Sequence, residues 1–226
     1  MTPILNPQSA PLDRVAGEAA VDSARLNVDW IRDRFAAAPS WQPESTDEHR
    51  TFLLRNVEFK NAAVLVGLVQ REYGLAVLFT QRTAHLSQHA GQISFPGGRA
   101  EKQDHDLIAT ALRETQEEIG LDSAKVEILG TLPNYFTVTG YCVTPVVGSI
   151  ADIGQLTSDQ NEVAEIFEVP LDFLMNGNHH QLRSLTINTA EHQSIKRTFY
   201  AMPYQDYFIW GATAGMLRNL FHFLRA

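Results

Sequence analysis

Two short apolar runs lie next to each other in the first half of the chain. Residues 62–69 and 75–80 are rich in Val, Leu and Ala, and Glu72-Tyr73-Gly74 between them is interpreted as a turn. Short apolar runs bounded by turn residues are typical of buried strands, so the pattern predicts a β-hairpin. Similar runs predict further strands at residues 126–132, 143–150, 165–169 and 196–202.

Apolar positions with helical periodicity mark three other segments, at residues 21–38, 106–120 and 210–224. In the last segment, the apolar residues fall on roughly one face. Strands with interspersed helices predict a mixed α+β or α/β sandwich. We assign residues 1–50 to an N-terminal helical extension and residues 51–226 to one main domain. No residue before about position 45 fits a metal or phosphate site, so we expect that part to be dispensable for chemistry.

The middle helix has clear start and stop signals. Asp104 or Asp106 is suited to cap its N-terminus, and Gly120 is suited to end it in a left-handed conformation. At about 100° per residue, the apolar side chains occupy one arc and three glutamates occupy a neighbouring arc. The apolar arc, which we expect to pack on the sheet, consists of Ile108, Ala111, Leu112, Thr115 and Ile119.

The three glutamates are Glu114, Glu117 and Glu118. Like charges at this spacing repel one another, and a divalent cation would remove that cost. Mg²⁺ and Mn²⁺ prefer oxygen ligands, and Mg²⁺ is often shared with substrate phosphates. The alternative is a solvated helix face with a pair between Arg113 and Glu117. A Gly-Gly turn, an acidic loop and the sequence Arg-Glu-x-x-Glu-Glu-x-Gly in one run favour the metal site.

Composition limits the classes of binding partner and the cellular compartment that we expect. The formal net charge is -8 and the estimated pI is 5.4, so no broad basic surface is expected for nucleic acid or for a membrane. Cys142 is the only cysteine, which excludes an intramolecular disulfide and favours a reducing compartment. The sequence shows neither a secretory signal nor a bilayer-spanning apolar segment, so we expect a cytoplasmic protein. A homodimer stays open beside a monomer.

Residues 98–121 resemble the signature of the Nudix hydrolases, G-x5-E-x7-R-E-U-x-E-E-x-G-U, in which U is aliphatic. Asp104 stands where the pattern has its first Glu, and one extra residue separates Gly98 from Arg113. Thr115 occupies an aliphatic position. The residues that match in register are Arg113, Glu114, Glu117, Glu118, Gly120 and Leu121.

This resemblance implies a Nudix fold, in which a mixed sheet lies between helices. It also implies that Glu114, Glu117 and Glu118 bind Mg²⁺ or Mn²⁺, that one of them serves as general base, and that Arg113 orients the carboxylates. A further acidic residue from a later loop often joins the site, and Glu162 is our candidate. The implied reaction is attack of metal-activated water on one phosphorus of a diphosphate, without a covalent enzyme intermediate.

A narrower resemblance covers residues 78–98, which are similar to the element before the signature in coenzyme A pyrophosphatases. It implies cleavage of coenzyme A or acyl-coenzyme A into 4′-phosphopantetheine, or its acyl form, and adenosine 3′,5′-bisphosphate. Members of that subfamily commonly have Arg near the position of Ser87, which this chain lacks. The residues that we assign to substrate binding are Arg82, His85, His89, Gly97 and Gly98.

Three alternatives stay open at this point. The same fold could act on another diphosphate, such as ADP-ribose, a dinucleotide or a nucleoside triphosphate. A catalytically silent module could bind a nucleotide and regulate a partner, although such a module has no need to keep Glu114, Glu117 and Glu118. Arg82 and His89 could simply tie their loop to the body of the domain.

Overall fold

A computed structural model describes residues 6–44, 59–84, 91–137, 139–188 and 194–226 of the chain. The strands are β1 (Leu12–Val15), β2 (Lys60–Arg71), β3 (Gly74–Arg82), β4 (Ile93–Ser94), β5 (Gly97–Arg99), β6 (Val126–Thr131), β7 (Tyr135–Phe136), β8 (Tyr141–Ile150), β9 (Val163–Pro170), β10 (Gln181–Asn188), β11 (Ser194–Tyr204) and β12 (Tyr207–Trp210). The α-helices are α1 (Val28–Ala36), α2 (Leu107–Ile119), α3 (Leu171–Leu174) and α4 (Gly211–Arg225).

The strands form a mixed central sheet and a smaller antiparallel sheet. In the central sheet the path runs β4-β3-β2-β8-β6, with β5 paired to β2, β7 to β8 and β9 to β3. Strands β2 and β8 are parallel, whereas the other pairs are antiparallel. The smaller sheet has the order β1-β10-β11-β12. The predicted hairpin is confirmed as β2 and β3.

The two strands of this hairpin separate away from their turn. They pair with each other only between residues 68–71 of β2 and 74–77 of β3. Farther along, β5 pairs with β2 and β4 pairs with β3, and the backbone N–H of Leu65 donates to the carbonyl of Pro96 over 2.8 Å. The chain from β4 to β5 therefore fills the gap between the strands, and it carries Gly97 into the sheet.

Side chains alternate between two cores, one on each face of the central sheet. Leu65 and Leu78 pack with α2 residues Ala111 and Ile119 on one face. On the other face, side chains of the sheet pack with α4, in a cluster that includes Val66, Val77, Phe79, Leu217, Leu220 and Phe221. A mixed sheet between helices confirms the predicted fold class.

Three local expectations differ from the structure. Helix α1 is shorter than residues 21–38, because Asn27 caps its N-terminus by accepting from the backbone N–H of Trp30 over 2.9 Å. Strand β1 was not predicted at all, and it pairs with β10. Helix α4 is buried on nearly all sides from Thr213 to Leu224 rather than on one face, because N-terminal residues cover what would be its polar side.

The N-terminal region is joined to α4 by a buried charge. Arg218 is 2% exposed. Its guanidinium donates to the carboxylates of Glu18 and Glu44, and its Nη1 lies 3.0 Å from Nδ1 of His180. It also lies over the ring of Tyr200, 4.6 Å from the centroid. Two carboxylates from residues 6–44 thus compensate one buried cation of the last helix.

None of the helices in the described ranges is both long enough and apolar enough to cross a lipid bilayer.

Candidate active site

Helix α2 begins and ends where the sequence indicates. Asp106 is the N-cap, and its side chain accepts from the backbone N–H of Ala109 over 2.7 Å. Gly120 ends the helix with a φ of 70°, in the left-handed region that favours glycine. Ala111, Thr115 and Ile119 are buried as the apolar arc predicts. The helix therefore has a fixed rotation on the sheet, which sets where its glutamates project.

Glu118 is the most buried of the three helix glutamates. It is 7% exposed, and its Oε2 accepts from the backbone N–H of Gly97 over 3.2 Å. Gly97 has a φ of 149°, and a Cβ there would collide with the carbonyl oxygen of Ala63. Burial, together with the nearby charges of Glu114 and Glu162, raises the pKa of Glu118 to about 7.

Glu114 lies against the second glycine of the turn. A Cβ at Gly98 would overlap its carboxylate, so only glycine permits this close approach. Burial raises the pKa of Glu114, and the neighbouring guanidinium of Arg113 opposes that shift. The structure thus places Gly97 and Gly98 directly against two of the predicted metal ligands. Their assignment to substrate binding stays a prediction.

Arg113 joins the acidic loop to the helix. Its Nε and Nη2 donate to the two oxygens of Asp104 over 2.9 and 3.0 Å. Its Nη1 lies 2.9 Å from Oε2 of Glu117 and 3.0 Å from Oε1 of Glu114. The hydrogen bonds from Arg113 lower the pKa of Asp104 well below its usual value. Glu117 has a side chain that is 59% exposed, so it faces outward more than Glu118 does.

Asp104 lies beside these residues, although the sequence analysis noted it only at the first Glu position of the signature and did not assign it to the site. Besides Arg113, it accepts hydrogen bonds from the backbone N–H of Glu101 and from Oγ1 of Thr110, both over 2.9 Å. Asp104 and Arg113 are therefore in contact, even though Asp is shorter than the Glu of the signature and one extra residue precedes Arg113. Its position as the first acid of the signature was the signal that could have identified it.

The loop after β8 attaches Glu162 to both the helix and β3. The backbone N–H of Asp159 donates to the carbonyl of Glu118 over 2.9 Å, which satisfies an end carbonyl of α2. The backbone N–H of Thr83 donates to the carbonyl of Glu162 over 2.9 Å, and its Oγ1 donates to the carbonyl of Asn161 over 3.1 Å. These hydrogen bonds hold Glu162 beside α2, although it lies more than forty positions after the helix in the sequence.

Arg82 lies between two of these carboxylates. Its Nη1 is 3.8 Å from Oε1 of Glu118 and 3.9 Å from Oε2 of Glu162. Its Nε is buried and has no hydrogen-bond partner in the described part of the chain. A buried N–H donor without a partner is costly. The side chain as a whole is 27% exposed, so the outer nitrogens of the guanidinium can contact an oxygen-rich ligand. His85, His89 and Ser87 lie outside the described residues.

Glu114, Glu117, Glu118 and Glu162 form what we call the acidic site. Its carboxylate oxygens are suitable ligands for a divalent cation, but they are not already arranged around one point. Among the described residues, no three His, Cys, Asp or Glu side chains already form a metal cluster. Burial and mutual repulsion nevertheless raise the pKa values of Glu114 and Glu118, with Glu162 contributing to both shifts. A hard cation would relieve that repulsion, and carboxylate oxygens are its preferred ligands. The residues present therefore fit such an ion.

Comparison with known proteins agrees with this geometry. The model of the NUDIX domain family matches residues 59–199. The chain belongs to the Nudix family. It is 38% identical over 201 residues to the uncharacterized Nudix hydrolase NudL of Salmonella typhimurium and 39% identical to that of Salmonella dublin, covering 88% of this chain and 96% of each relative.

Solved Nudix structures are similar over about half of the chain. The Nudix hydrolase RenU of M. smegmatis is 24% identical and covers 50% of this chain and 71% of its own, with a TM-score of 0.43. The Nudix domain of Shewanella oneidensis NrtR, solved with ADP ribose, is 21% identical and covers 54% of this chain and 82% of its own, with a TM-score of 0.40. The family assignment rests on the family model and the sequence relatives.

Membership identifies this Nudix protein as an enzyme that hydrolyses a pyrophosphate linkage in a nucleotide-derived substrate. Enzymes of the family generally use a divalent metal such as Mg²⁺ or Mn²⁺.

Proposed function

We propose that this Nudix hydrolase cleaves coenzyme A or acyl-coenzyme A, releasing 4′-phosphopantetheine or its acyl form and adenosine 3′,5′-bisphosphate. The proposal is supported by the resemblance of residues 78–98 to the coenzyme A pyrophosphatases. The observation that carries it is the position of Arg82, which belongs to that element and lies within 4 Å of both Glu118 and Glu162. The Arg82 side chain is 27% exposed, so the outer part of its guanidinium could contact a substrate phosphate.

The residues proposed to hold Mg²⁺ or Mn²⁺ are Glu114, Glu117 and Glu118. When bound, the cation would offset charge on the phosphate oxygens and make water easier to deprotonate. Arg113 orients Glu114 and Glu117 through the hydrogen bonds and ion pairs described above. One of the three helix glutamates accepts the proton of the attacking water, and Glu162 is the additional acid on the far side of Arg82.

In this proposal, the guanidinium of Arg82 contacts protein carboxylates in the free enzyme and a substrate phosphate in the complex. Without substrate, its guanidinium lies between two carboxylates at distances longer than a normal hydrogen bond. With substrate, a phosphate oxygen would form a shorter, charge-assisted bond to it. His85 and His89 are proposed to contact phosphates from the neighbouring loop. An anionic substrate needs a local positive charge such as that of Arg82, because the protein as a whole carries a formal net charge of -8.

A second candidate is hydrolysis of another diphosphate, such as ADP-ribose or a dinucleotide. The observation in its favour is Ser87, which stands where an Arg is common in the coenzyme A pyrophosphatases. Losing a charge-assisted hydrogen bond can remove roughly 1.5 to 3 kcal/mol, or about ten- to a hundredfold in affinity. A cytoplasmic location and a homodimer stay predictions alongside either candidate.

A substrate panel separates the two candidates. Coenzyme A, acetyl-coenzyme A, ADP-ribose, NADH and ATP are compared under matched Mg²⁺ and Mn²⁺, with products identified by mass. We expect the highest kcat/KM for coenzyme A or its acetyl form, with 4′-phosphopantetheine or its acetyl form as product. Efficient release of AMP from ADP-ribose with coenzyme A untouched would reject the coenzyme A assignment. Gain of activity on coenzyme A in Ser87→Arg would identify the missing charge as the cause of a shallow preference.

A further inference from the structure

One buried hydrogen bond joins the first turn of α4 to the edge of the central sheet. Thr213 is 6% exposed, and its Oγ1 donates to the backbone carbonyl of Ile93 in β4 over 3.0 Å, across 120 positions of sequence. We propose that Thr213 is a positioning residue for the acidic site, because it holds residues 92–97, which are hydrogen-bonded to both Arg82 and Glu118. The inference rests on the proposed function in one respect, since it takes Arg82 and Glu118 as functional groups.

Residues 92–97 connect the two functional groups. At one end of this segment, the carbonyl of Gln92 accepts from the backbone N–H of Arg82 over 2.9 Å. At the other end, the backbone N–H of Gly97 donates to Oε2 of Glu118 over 3.2 Å. A displacement of the segment would therefore change the position of Arg82 relative to the carboxylate of Glu118.

The carbonyl of Ile93 lies on the free edge of β4. Strand β4 pairs with β3 and is the first strand in the path of the central sheet. Successive carbonyls of a strand point to opposite sides, and that of Gln92 points to β3, where it accepts from Arg82. The carbonyl of Ile93 therefore points away from β3, and Thr213 is the side chain that satisfies it.

The junction between β12 and α4 brings the hydroxyl to this carbonyl. Strand β12 ends at Trp210, and α4 begins directly at Gly211, whose φ of 64° lies in the left-handed region. This sharp change of direction places Thr213 in the first helical turn, where β12 approaches β4. Ile209 of β12 and Leu217 of α4 are fully buried in the core, so the hydroxyl is presented from a firmly packed part of the fold.

Different contacts hold the two halves of the segment. In the second half, the ring of Phe95 stacks with Phe79 at 5.1 Å, and the carbonyl of Pro96 accepts from the backbone N–H of Leu65 over 2.8 Å. The first half is held by the pairing with β3 and by the hydrogen bond from Thr213. Without that hydroxyl a buried carbonyl would lose its partner, which is costly, so we expect β4 to shift toward another donor.

The test compares variants of the full chain that keep or remove the hydroxyl. Thr213→Val removes it and keeps the branched shape, whereas Thr213→Ser keeps it. Ser184→Ala is the matched control, because Ser184 is also 6% exposed and its Oγ donates to Oδ1 of Asp13 over 3.0 Å in the smaller sheet. Each variant thus loses or keeps one buried hydroxyl hydrogen bond, either beside β4 or away from it.

Hydrogen exchange of the Gly97 amide is the first readout, because this N–H binds Glu118. It is followed by NMR without metal or substrate, relative to the amides between β2 and β8 in the middle of the sheet. We expect Thr213→Val to accelerate the relative exchange of Gly97 about tenfold, as the loss of one hydrogen bond permits. Thr213→Ser and Ser184→Ala should stay within about twofold of the wild type.

Hydrolysis of the best diphosphate from the substrate panel is the second readout. We expect kcat of Thr213→Val to fall roughly threefold to tenfold, with KM changed by less than about twofold, and Thr213→Ser to restore kcat. If Thr213→Val does not fold, Thr213→Ala takes its place. Unchanged relative exchange of Gly97, or an equal loss of kcat in Thr213→Ser or Ser184→Ala, would overturn the proposal. If no diphosphate is cleaved, the proposed function fails, and the exchange of Gly97 still decides whether Thr213 positions this segment.

Discussion

The Nη2 atom of Arg218 donates to Oε1 of Glu18 over 2.6 Å, although the two residues are 200 positions apart in the chain. Arg218 belongs to the last helix, and Glu18 belongs to the segment that the sequence predicts to be an extension. Burying an ionised group is costly unless it is paired and hydrogen-bonded. Glu18 and Glu44 supply that pairing, so the N-terminal segment is part of what makes the buried position of Arg218 tolerable.

Replacing Glu18 with Gln should destabilise the fold. The variant leaves the buried guanidinium with one fewer charged partner, while Glu44 still binds it. We expect a loss of about 1 to 3 kcal/mol in the free energy of unfolding. Urea denaturation measures it, with Glu72→Gln in the exposed β2–β3 turn as the control. Equal unfolding midpoints for wild type and Glu18→Gln would show that the pair contributes nothing.

Removal of residues 1–45 should lower the stability of the fold. It deletes β1 together with Glu18 and Glu44, and it leaves Arg218 without either carboxylate. We expect the truncated chain to unfold at a clearly lower temperature than the full chain, or to fail to fold. The sequence-based prediction that this segment is dispensable for chemistry is tested separately by turnover of whatever fraction stays folded. A truncated protein with unchanged thermal stability would contradict the structural role.

Acidification should weaken the same cluster in two stages. Burial, with the nearby charge of Arg218, lowers the pKa of His180 to about 4 from its ordinary 6.5. Partial burial acts to raise the pKa of Glu18, but the hydrogen bonds and charge of Arg218 lower it to about 2 from 4.5. Both shifts are depressions, so the unfolded chain takes up protons first as the pH falls.

The stability that His180 contributes is therefore complete above about pH 6.5 and is lost as the pH falls toward 4. The contribution of Glu18 is complete above about pH 4.5 and is lost toward pH 2. Urea midpoints at pH 7.5 and pH 4.5 should differ less in His180→Gln than in the wild type. If the two proteins lose the same stability over that interval, His180 is not one of the groups responsible.

The carboxylates of α2 should be required for turnover and not for folding. Glu114→Gln and Glu118→Gln keep the side-chain shape but remove ligand charge, and we expect each to reduce kcat/KM at least a hundredfold, about 2.7 kcal/mol. Glu72→Gln serves as the matched control. Activity should depend on added Mg²⁺ or Mn²⁺. Full activity of both variants, or activity in excess chelator, would rule out the carboxylate site.

Thr83 should act as a positioning residue for Glu162. Its Oγ1 donates to the carbonyl of Asn161, directly before Glu162. Thr83→Val keeps the shape and removes this hydrogen bond, and we expect kcat to fall roughly threefold to tenfold, with KM little changed. Thr83→Ser keeps the hydroxyl and should restore kcat. A general loss of stability without this split between the two variants would indicate a purely structural role.

Local sequence was sufficient for α2 and for the hairpin. Asp106 and Gly120 are capping residues whose chemistry acts within one helical turn, so both ends of the helix could be predicted. Short apolar runs and the turn between them predicted β2 and β3 in the same way. The glutamates on one side of α2 followed from helical geometry, since the spacing of side chains around a helix is set by the backbone alone.

The positions of Glu162, β1 and Arg218 were decided by tertiary contacts. The sequence could name Glu162 only as a candidate, because its position beside α2 depends on backbone hydrogen bonds to Thr83 and to the end of the helix. Strand β1 has no strong strand pattern of its own and exists through its pairing with β10. The burial of Arg218 depends on carboxylates from the other end of the chain. Such interactions join residues that are distant in sequence, and no local pattern of apolar and polar positions records them.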